Sequence, residues 1–349
     1  MKHYDVCIIG GGPVGMATAI EAALHDLSVC LFEPKDGIID KACGEGLMPS
    51  AVCHLKRIGV QLKQSHKFQG IRYIDNGTMA EGTFRQGPGL GVRRLELHRA
   101  LRTRAEELNV TIFQRSARKF EEMDDHVAIE DVRAKYLIAA DGLHSPIRKK
   151  MGLQLPHRRP LRLGIRRHYK AKPWSSFVEV YWSPHAEAYV TPVADDQIGV
   201  AILFYKDHAP TGQDKYDKLL TRFPKLHQAL EGLEYSSRLR GAGPFEQRVA
   251  SGMKGRVLLV GDAAGYLDPL TGEGIRLGLD GAQAIAKCIA NDQPQQYIQE
   301  HRKILRKYWV MTDGLLRLRQ IPPLRKVMVP FLRLFPFFFD WIISTLAEE

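Results

Sequence analysis

The residues whose types and spacing most directly specify chemistry are three glycines, Gly10-x-Gly12-x-x-Gly15, and an acid, Glu33, 23 positions after the first of them. In that pattern Gly10 permits a tight turn, Gly12 lets a pyrophosphate approach the backbone, and Gly15 lets a helix pack closely on a strand. The N–H groups of the turn, with Pro13 and Val14 at the helix start, then face the phosphates together with the positive end of the helix dipole. Glu33 is placed to bind ribose hydroxyls. The flanks fit: residues 4–9 are a nearly continuous apolar run, helix formers follow Gly15, and a second apolar run ends at Glu33. This is a dinucleotide site. Pro34 follows the acid, with no base immediately after it to take a 2′-phosphate, which disfavours NADP but does not separate NAD from FAD.

Two later segments bear on that choice. The apolar run at 136–140 ends at Asp141-Gly142, and the run at 257–260 ends at Gly261-Asp262 before Asp268-Pro269-Leu270-Thr271-Gly272-Glu273-Gly274-Ile275 and a helix-forming stretch. A carboxylate at the end of a buried strand can accept hydrogen bonds from a chain of sugar-like hydroxyls, and Gly272 and Gly274 bring backbone N–H groups near a planar or anionic group. Between the second run and these segments lies Lys41-Ala42-Cys43-Gly44-Glu45-Gly46, a loop whose glycines suit close passage over a ring. Cys43 has only Lys41 nearby to favour a thiolate, so it reads as loop structure rather than nucleophile.

No general base and no metal site can be named. His54, His98, His144, His168 and His185 are scattered, and no cluster has metal-ligand spacing. Gly241-Ala-Gly243-Pro244 imitates the opening motif, but Glu246 takes the third position and no apolar strand precedes it, so a single dinucleotide site is expected.

The elements that must position these residues follow from hydrophobic period. The dinucleotide-binding domain is α/β, of the Rossmann type, built from residues 1–66, 93–156 and 249–300. Residues 67–92 and 157–248 change to period-two strands, giving an inserted, half-buried antiparallel sheet that can roof the ligand. Its aromatic residues Phe177, Tyr181, Trp182, Tyr189 and Phe204 are core, with one or two lining a pocket. Residues 301–349 form a basic, apolar helical tail. Five cysteines, an odd number with no C-x-x-C pair, indicate a reduced, cytoplasmic setting. The opening apolar run is too short for a signal peptide, and the stretch 327–346 contains Pro330, Arg333, Pro336 and Asp340, which argues against a spanning helix, though not against membrane contact.

The net charge of +11 is concentrated. Residues 302–333 carry nine bases against one acid beside a Phe-rich stretch, and residues 157–172 carry seven bases and no acid, so the remainder is slightly acidic. The first patch describes an interfacial element for an anionic membrane or a helix pair packed on the substrate sheet. The second could draw nicotinamide phosphates or an acidic substrate carrier. Nucleic acid is not indicated, because no reading motif accompanies either patch.

Taken together, the glycine turn with Glu33, the Asp141-Gly142 segment and Gly261-Asp262 through Gly274-Ile275 resemble the three FAD fingerprints of the p-hydroxybenzoate hydroxylase superfamily. That superfamily includes aromatic hydroxylases, squalene epoxidases, flavin halogenases and geranylgeranyl reductases. The resemblance spans residues 5 to about 290 and implies a glutathione reductase-like FAD domain. It places adenosine ribose at Glu33, pyrophosphate at the Gly12–Gly15 backbone, ribityl at Asp262, and the flavin ring edge at Gly274 and Ile275. The loop carrying Lys41, Gly44 and Gly46 would border the ring, and Arg94 would stand near the phosphates or ribityl chain. NAD(P)H would bind transiently.

Among the chemistries of this family, halogenation is disfavoured because no W-x-W-x-I-P motif occurs. The reductase pattern P-x-x-Y-x-W-x-F-P is met at Pro184 and Pro192, but Glu187, Tyr189 and Thr191 stand at its Tyr, Trp and Phe positions. The favoured expectation is therefore an NAD(P)H-dependent monooxygenase that hydroxylates a hydrophobic or aromatic, lipid-like or carrier-tethered substrate through a flavin C4a-hydroperoxide. A reductase of prenyl or polyketide-like substrates is the alternative, and a non-catalytic flavoprotein the second.

Overall fold

The computed structural model describes residues 2–117, 119–212 and 214–347; Met1, Arg118, Gln213, Glu348 and Glu349, which fall within the expected domain and tail ranges, lie outside them. The first apolar run forms strand Lys2–Ile9, with Val6, Cys7 and Ile8 wholly excluded from water. It sits inside a mainly parallel sheet in the order Met253–Lys254, Val257–Leu259, Val132–Ala139, Lys2–Ile9, Val29–Phe32, Thr111–Phe113, with a hairpin of Phe120–Glu122 and Val127–Ile129 joined to Val132–Ala139. Helices Pro13–Leu24, Arg94–Glu107 and Gly274–Ala290 cover one face and supply most of its apolar partners. Continuous apolar strands are what burial on both faces requires.

The turn after Lys2–Ile9 accepts only glycine at two positions. Gly10 has φ +109°, and a Cβ there would lie 2.4 Å from the Ala140 carbonyl oxygen. A Cβ on Gly15 would lie 1.8 Å from the Gly10 carbonyl oxygen. The helix therefore starts in contact with the strand end, with its N-terminus at the sheet's carboxyl edge.

The inserted segments form a seven-stranded sheet in the order Arg240–Ala242, Arg162–Lys170, Gln197–Tyr205, Ala186–Ala194, Phe177–Ser183, Gly70–Asp75, Thr78–Thr83. Its pairings are antiparallel except where the two insertions meet: Phe177–Ser183 runs parallel to Gly70–Asp75. No hairpin joins those strands, so nothing forces the antiparallel sense. The sheet is also more deeply buried than its alternation predicts; every residue of Gln197–Tyr205 except Gln197 is out of water. Helices Lys215–Leu220 and Pro224–Leu230 pack on one face through Tyr216, Leu219, Phe223 and Leu226. The tail covers the other face. Alternation within a strand reports only its own side chains, and both covers come from elsewhere in the chain.

The tail consists of helices Tyr297–Gln320, Pro322–Leu334 and Pro336–Ala347. Among the described residues no single helix is long and apolar enough to cross a membrane; the last two reach that length only together and meet at a bend of 102°. Phe335, before Pro336, is driven out of the helical region by the proline ring, which ends one helix and starts the next. The tail is pinned at named points. Tyr297 donates to the Leu259 carbonyl at 2.7 Å, Tyr308 to that of Asp268 at 2.7 Å, and Ser50 to that of Ala347 at 2.7 Å.

Several bases that look like solvated patches in sequence are internal. Arg319 is buried with its guanidinium 2.8 Å from Glu187, and Arg325 lies 3.7 Å from Asp75. In the other basic run, Arg162 contacts Glu187 and Asp268, Arg166 lies 2.6 Å from Asp40, and Arg159 pairs with Asp313. That second run is therefore largely a set of ion pairs holding the sheet to its neighbours, which corrects its reading as an open anion-attracting patch.

Candidate functional site

A cavity of about 850 Å³ runs from the glycine turn, between the two sheets, to the tail helices. Thirteen of the sixteen residues singled out in the sequence line it: Gly12, Pro13, Val14, Lys41, Gly44, Gly46, Arg94, Asp141, Asp262, Pro269, Gly272, Gly274 and Ile275. Gly10, Gly15 and Glu33 do not. The two glycines form the turn behind the cavity wall, and Glu33 accepts the Gly11 N–H at 2.8 Å and the Lys35 N–H at 2.9 Å. His98, unassigned from sequence, braces the same turn with Nε2 2.8 Å from the Gly11 carbonyl oxygen.

One end of the cavity is polar and has unspent hydrogen-bonding capacity. Helices Pro13–Leu24 and Gly274–Ala290 both begin at its wall, and neither has a side-chain cap or an acid in its first turn. Their first N–H groups and dipoles are thus available to an anion or carbonyl. Arg94 is buried with its Nε unpartnered, and Asp141, whose other oxygen accepts the Ile147 N–H at 3.2 Å, has Oδ1 unpartnered. Burial raises the Asp262 carboxyl, opposed by Arg94 and Lys41. Burial, and then Arg94, push the Lys41 ammonium down. Gly12 leaves open space: a Cβ there would meet nothing nearer than the Arg94 guanidinium at 3.9 Å. Uncapped helix starts, a buried guanidinium with its Nε unpartnered and a glycine-lined cradle fit a phosphate-bearing dinucleotide with a hydroxylated chain.

The loop over this end is held by residues that the sequence did not point to. Glu45, at φ +61°, is buried. Its Oε1 accepts the Arg94 N–H at 2.7 Å, and its Oε2 is hydrogen-bonded to His168 Nε2. On the other side of the ring, His168 Nδ1 lies 3.0 Å from Arg166 and 2.7 Å from Ser237 Oγ. A guanidinium can only donate, so Nδ1 accepts and the imidazole proton sits on Nε2, facing Glu45. Burial lowers the pKa of His168 against the opposing pull of Glu45. Thr191 completes the clamp by donating to the Gly44 carbonyl at 2.9 Å. The Glu45–His168 pair joins positions 123 residues apart, a separation that leaves no local signal. Cys43 faces the cavity, and burial raises its thiol, so it is neutral at ordinary pH.

Beyond the loop the cavity is apolar. Phe68, Ile71, Tyr73, Val178, Val180, Leu203 and Phe245 line it from the substrate sheet and its margins, and Leu318, Met328, Phe339 and Ile343 from the tail. Of the five aromatic residues expected to be core or pocket, only Tyr189 lines the cavity, and its hydroxyl donates to the Leu270 carbonyl at 3.0 Å. The shape can hold a long apolar chain with one end against the polar pole.

A family model described as "FAD binding domain" matches residues 3–293. Menaquinone reductase of Mycobacterium tuberculosis is 26% identical over 313 residues, covering 82% of this chain and 76% of that protein. Digeranylgeranylglycerophospholipid reductase 2 of Methanopyrus kandleri is 25% identical over 307 residues, covering 79% and 74%. Among solved structures, a flavoprotein/dehydrogenase from Cytophaga hutchinsonii superposes with a TM-score of 0.86 at 18% identity, covering 98% of this chain and 92% of that one. The flavin-dependent brominase Bmp2 superposes at 0.76 with 20% identity, covering 95% and 93%. At these identities the structural likenesses establish the fold.

Proposed function

The chain belongs to the FAD-binding domain family, and from that premise we propose that it is an FAD-dependent reductase of a carbon–carbon double bond in a long isoprenoid chain, with NAD(P)H as the electron source. The observation that carries this reading is the continuity of the polar pole with an apolar cavity walled by the tail helices. The reductase names of the mycobacterial and archaeal relatives, which concern a prenylated quinone and a prenylated lipid, support the same class of substrate.

In this reading Glu33 takes the adenosine ribose, the backbone from Gly12 to Gly15 and the Arg94 guanidinium take the pyrophosphate, and Asp141 and Asp262 face the ribityl side. Gly272, Gly274 and Ile275 present backbone to the ring edge, beside Pro269. Lys41, Gly44 and Gly46 border the ring from the loop clamped by Glu45 and His168. When bound, FAD supplies two-electron reducing power, so that a hydride and a proton add across the double bond. The chain's own part is to position the alkene against the polar pole and to exclude water through the apolar walls.

A second reading, hydroxylation of a similarly apolar substrate, is favoured by one observation. Glu187, at the Tyr position of the reductase pattern, is wholly buried in an ion-pair cluster and contributes no aromatic wall. The two readings share cofactor and cavity and differ in their need for dioxygen.

The cavity assignment is testable by shortening it. Val178 lines the cavity from strand Phe177–Ser183 of the substrate sheet. Val178→Trp is expected to leave flavin content unchanged and to lower kcat/KM at least about tenfold for a long prenyl chain, through loss of the volume that such a chain fills. A short prenyl analogue should be much less affected. Equal losses for both would show that the chain does not occupy this space.

A further inference from the structure

The last two helices carry more apolar surface than the core can use. Among the described residues 17 large hydrophobic side chains are exposed, and ten of them fall between Val310 and Trp341. Helix Pro322–Leu334 has two apolar faces. Arg325, Met328, Val329 and Leu332 point inward, and Leu324, Val327, Phe331 and Leu334 form a second stripe at helical spacing that points out. The stripe continues into the next helix as one patch. Phe331 lies 4.9 Å from Phe335 and 5.8 Å from Phe338, and Phe338 lies 5.8 Å from Trp341, measured between ring centroids. Leu334, Phe337 and Trp341 are 75%, 67% and 53% exposed, values for a contiguous group that mark an interaction surface rather than scattered residues.

Two further observations select the occupant. Leu324, Val327, Phe331 and Phe338 are exposed and also line the cavity, so the patch is continuous with the cavity wall. Lys326 and Arg333 are exposed at its margin, while Asp340, the one acid between residues 321 and 347, turns inward to accept the Thr83 N–H at 2.7 Å. Among the described residues of the two helices, the surface thus presents aromatic and aliphatic groups with two exposed bases, and its one carboxylate is bonded to the sheet. A second copy of the chain would bring these bases against bases. An anionic lipid surface complements both features.

We propose that the outward faces of helices Pro322–Leu334 and Pro336–Ala347 dock on an anionic bilayer surface, so that the cavity opens into the acyl layer and the apolar substrate enters lengthwise from the leaflet. The bend of 102° keeps the pair along the surface rather than across it. Entry of substrate rests on the reductase reading above; docking does not.

The test uses the full flavin-loaded chain with vesicles of phosphatidylcholine alone and of phosphatidylcholine with phosphatidylglycerol. The wild type should float with the anionic vesicles. Combined Leu334→Ser, Phe337→Ser and Trp341→Ser, all outside the cavity lining, should weaken binding about tenfold or more. Combined Lys326→Gln and Arg333→Gln should weaken it roughly fivefold per base and remove the preference for anionic lipid. Both variants should keep the wild-type melting temperature and flavin absorbance. Vesicle binding unchanged by the triple variant overturns docking, as does a wild type that ignores vesicles and sediments as a dimer that the triple variant dissociates. With prenyl substrate embedded in vesicles, the triple variant should lose turnover while keeping it on detergent-dispersed substrate; equal turnover overturns entry from the leaflet. A wild type that binds vesicles but reduces the substrate in neither form supports docking and overturns the reductase reading.

Discussion

Gly12→Ala is expected to give a folded chain that has lost its flavin. Gly12 sits at φ −67° and ψ 174°, a conformation open to any residue, and an added methyl meets no protein atom closer than 3.9 Å. The apoprotein therefore has no reason to unfold. The methyl occupies the space through which a pyrophosphate must reach the N–H groups of the helix start, and hydrogen bonds to a charged group contribute about 1.5–3 kcal/mol each. Losing one or two of them predicts a fall in FAD affinity of roughly a hundredfold. Gly15→Ala provides the contrast. Its methyl would stand 1.8 Å from the Gly10 carbonyl oxygen, so it should cost the fold itself. Circular dichroism with flavin absorbance per mole of protein separates the two. Wild-type flavin affinity in Gly12→Ala would mean that this turn is not the phosphate cradle.

The second large effect concerns stability. Arg162, Glu187, Asp268 and Arg319 form a buried cluster that joins the substrate sheet, the segment before the Gly274–Ala290 helix, and the tail. Arg162 Nε lies 2.8 Å from Asp268, and Arg319 lies 2.8 Å from Glu187. Arg162→Leu leaves two buried carboxylates facing one guanidinium, and breaking such a pair costs on the order of 3–5 kcal/mol. The loss should depend on pH. Burial pushes the Asp268 carboxyl up to about 6, although Arg162 opposes the shift. A carboxyl raised in the folded state binds a proton that the unfolded chain does not hold between its ordinary value and about pH 6, so its contribution to stability grows as pH falls through that window and is lost as pH rises. Removing Arg162 raises the carboxyl further, and the variant's deficit in denaturant midpoint should be smaller at pH 5 than at pH 8. A deficit below about 1 kcal/mol, the range of an exposed pair, would show that the cluster is solvated.

What could be read from the sequence was what neighbours in sequence decide. The glycine turn, the acid after the second strand and the Gly261-Asp262 segment each depend on a strand end and a helix start a few residues away, so their spacing carried their geometry. The burial of charges is not legible in sequence because their partners are remote: Arg319 meets Glu187 and Arg325 meets Asp75 across the fold, although both stand in a basic run of the tail. His168 is one of several histidines scattered along the sequence, and only the fold sets it on Glu45. The substrate sheet looked half-buried because the helices that cover it lie at 215–230 and in the tail.

The most direct test of the central claim is anaerobic. The flavin-loaded protein, reduced under nitrogen and mixed with a polyprenyl lipid that carries no quinone ring, should return to the oxidised absorbance spectrum without oxygen, in step with a product heavier by two hydrogens. A flavin that stays reduced until air is admitted, followed by a product that has gained an oxygen atom, would contradict the account.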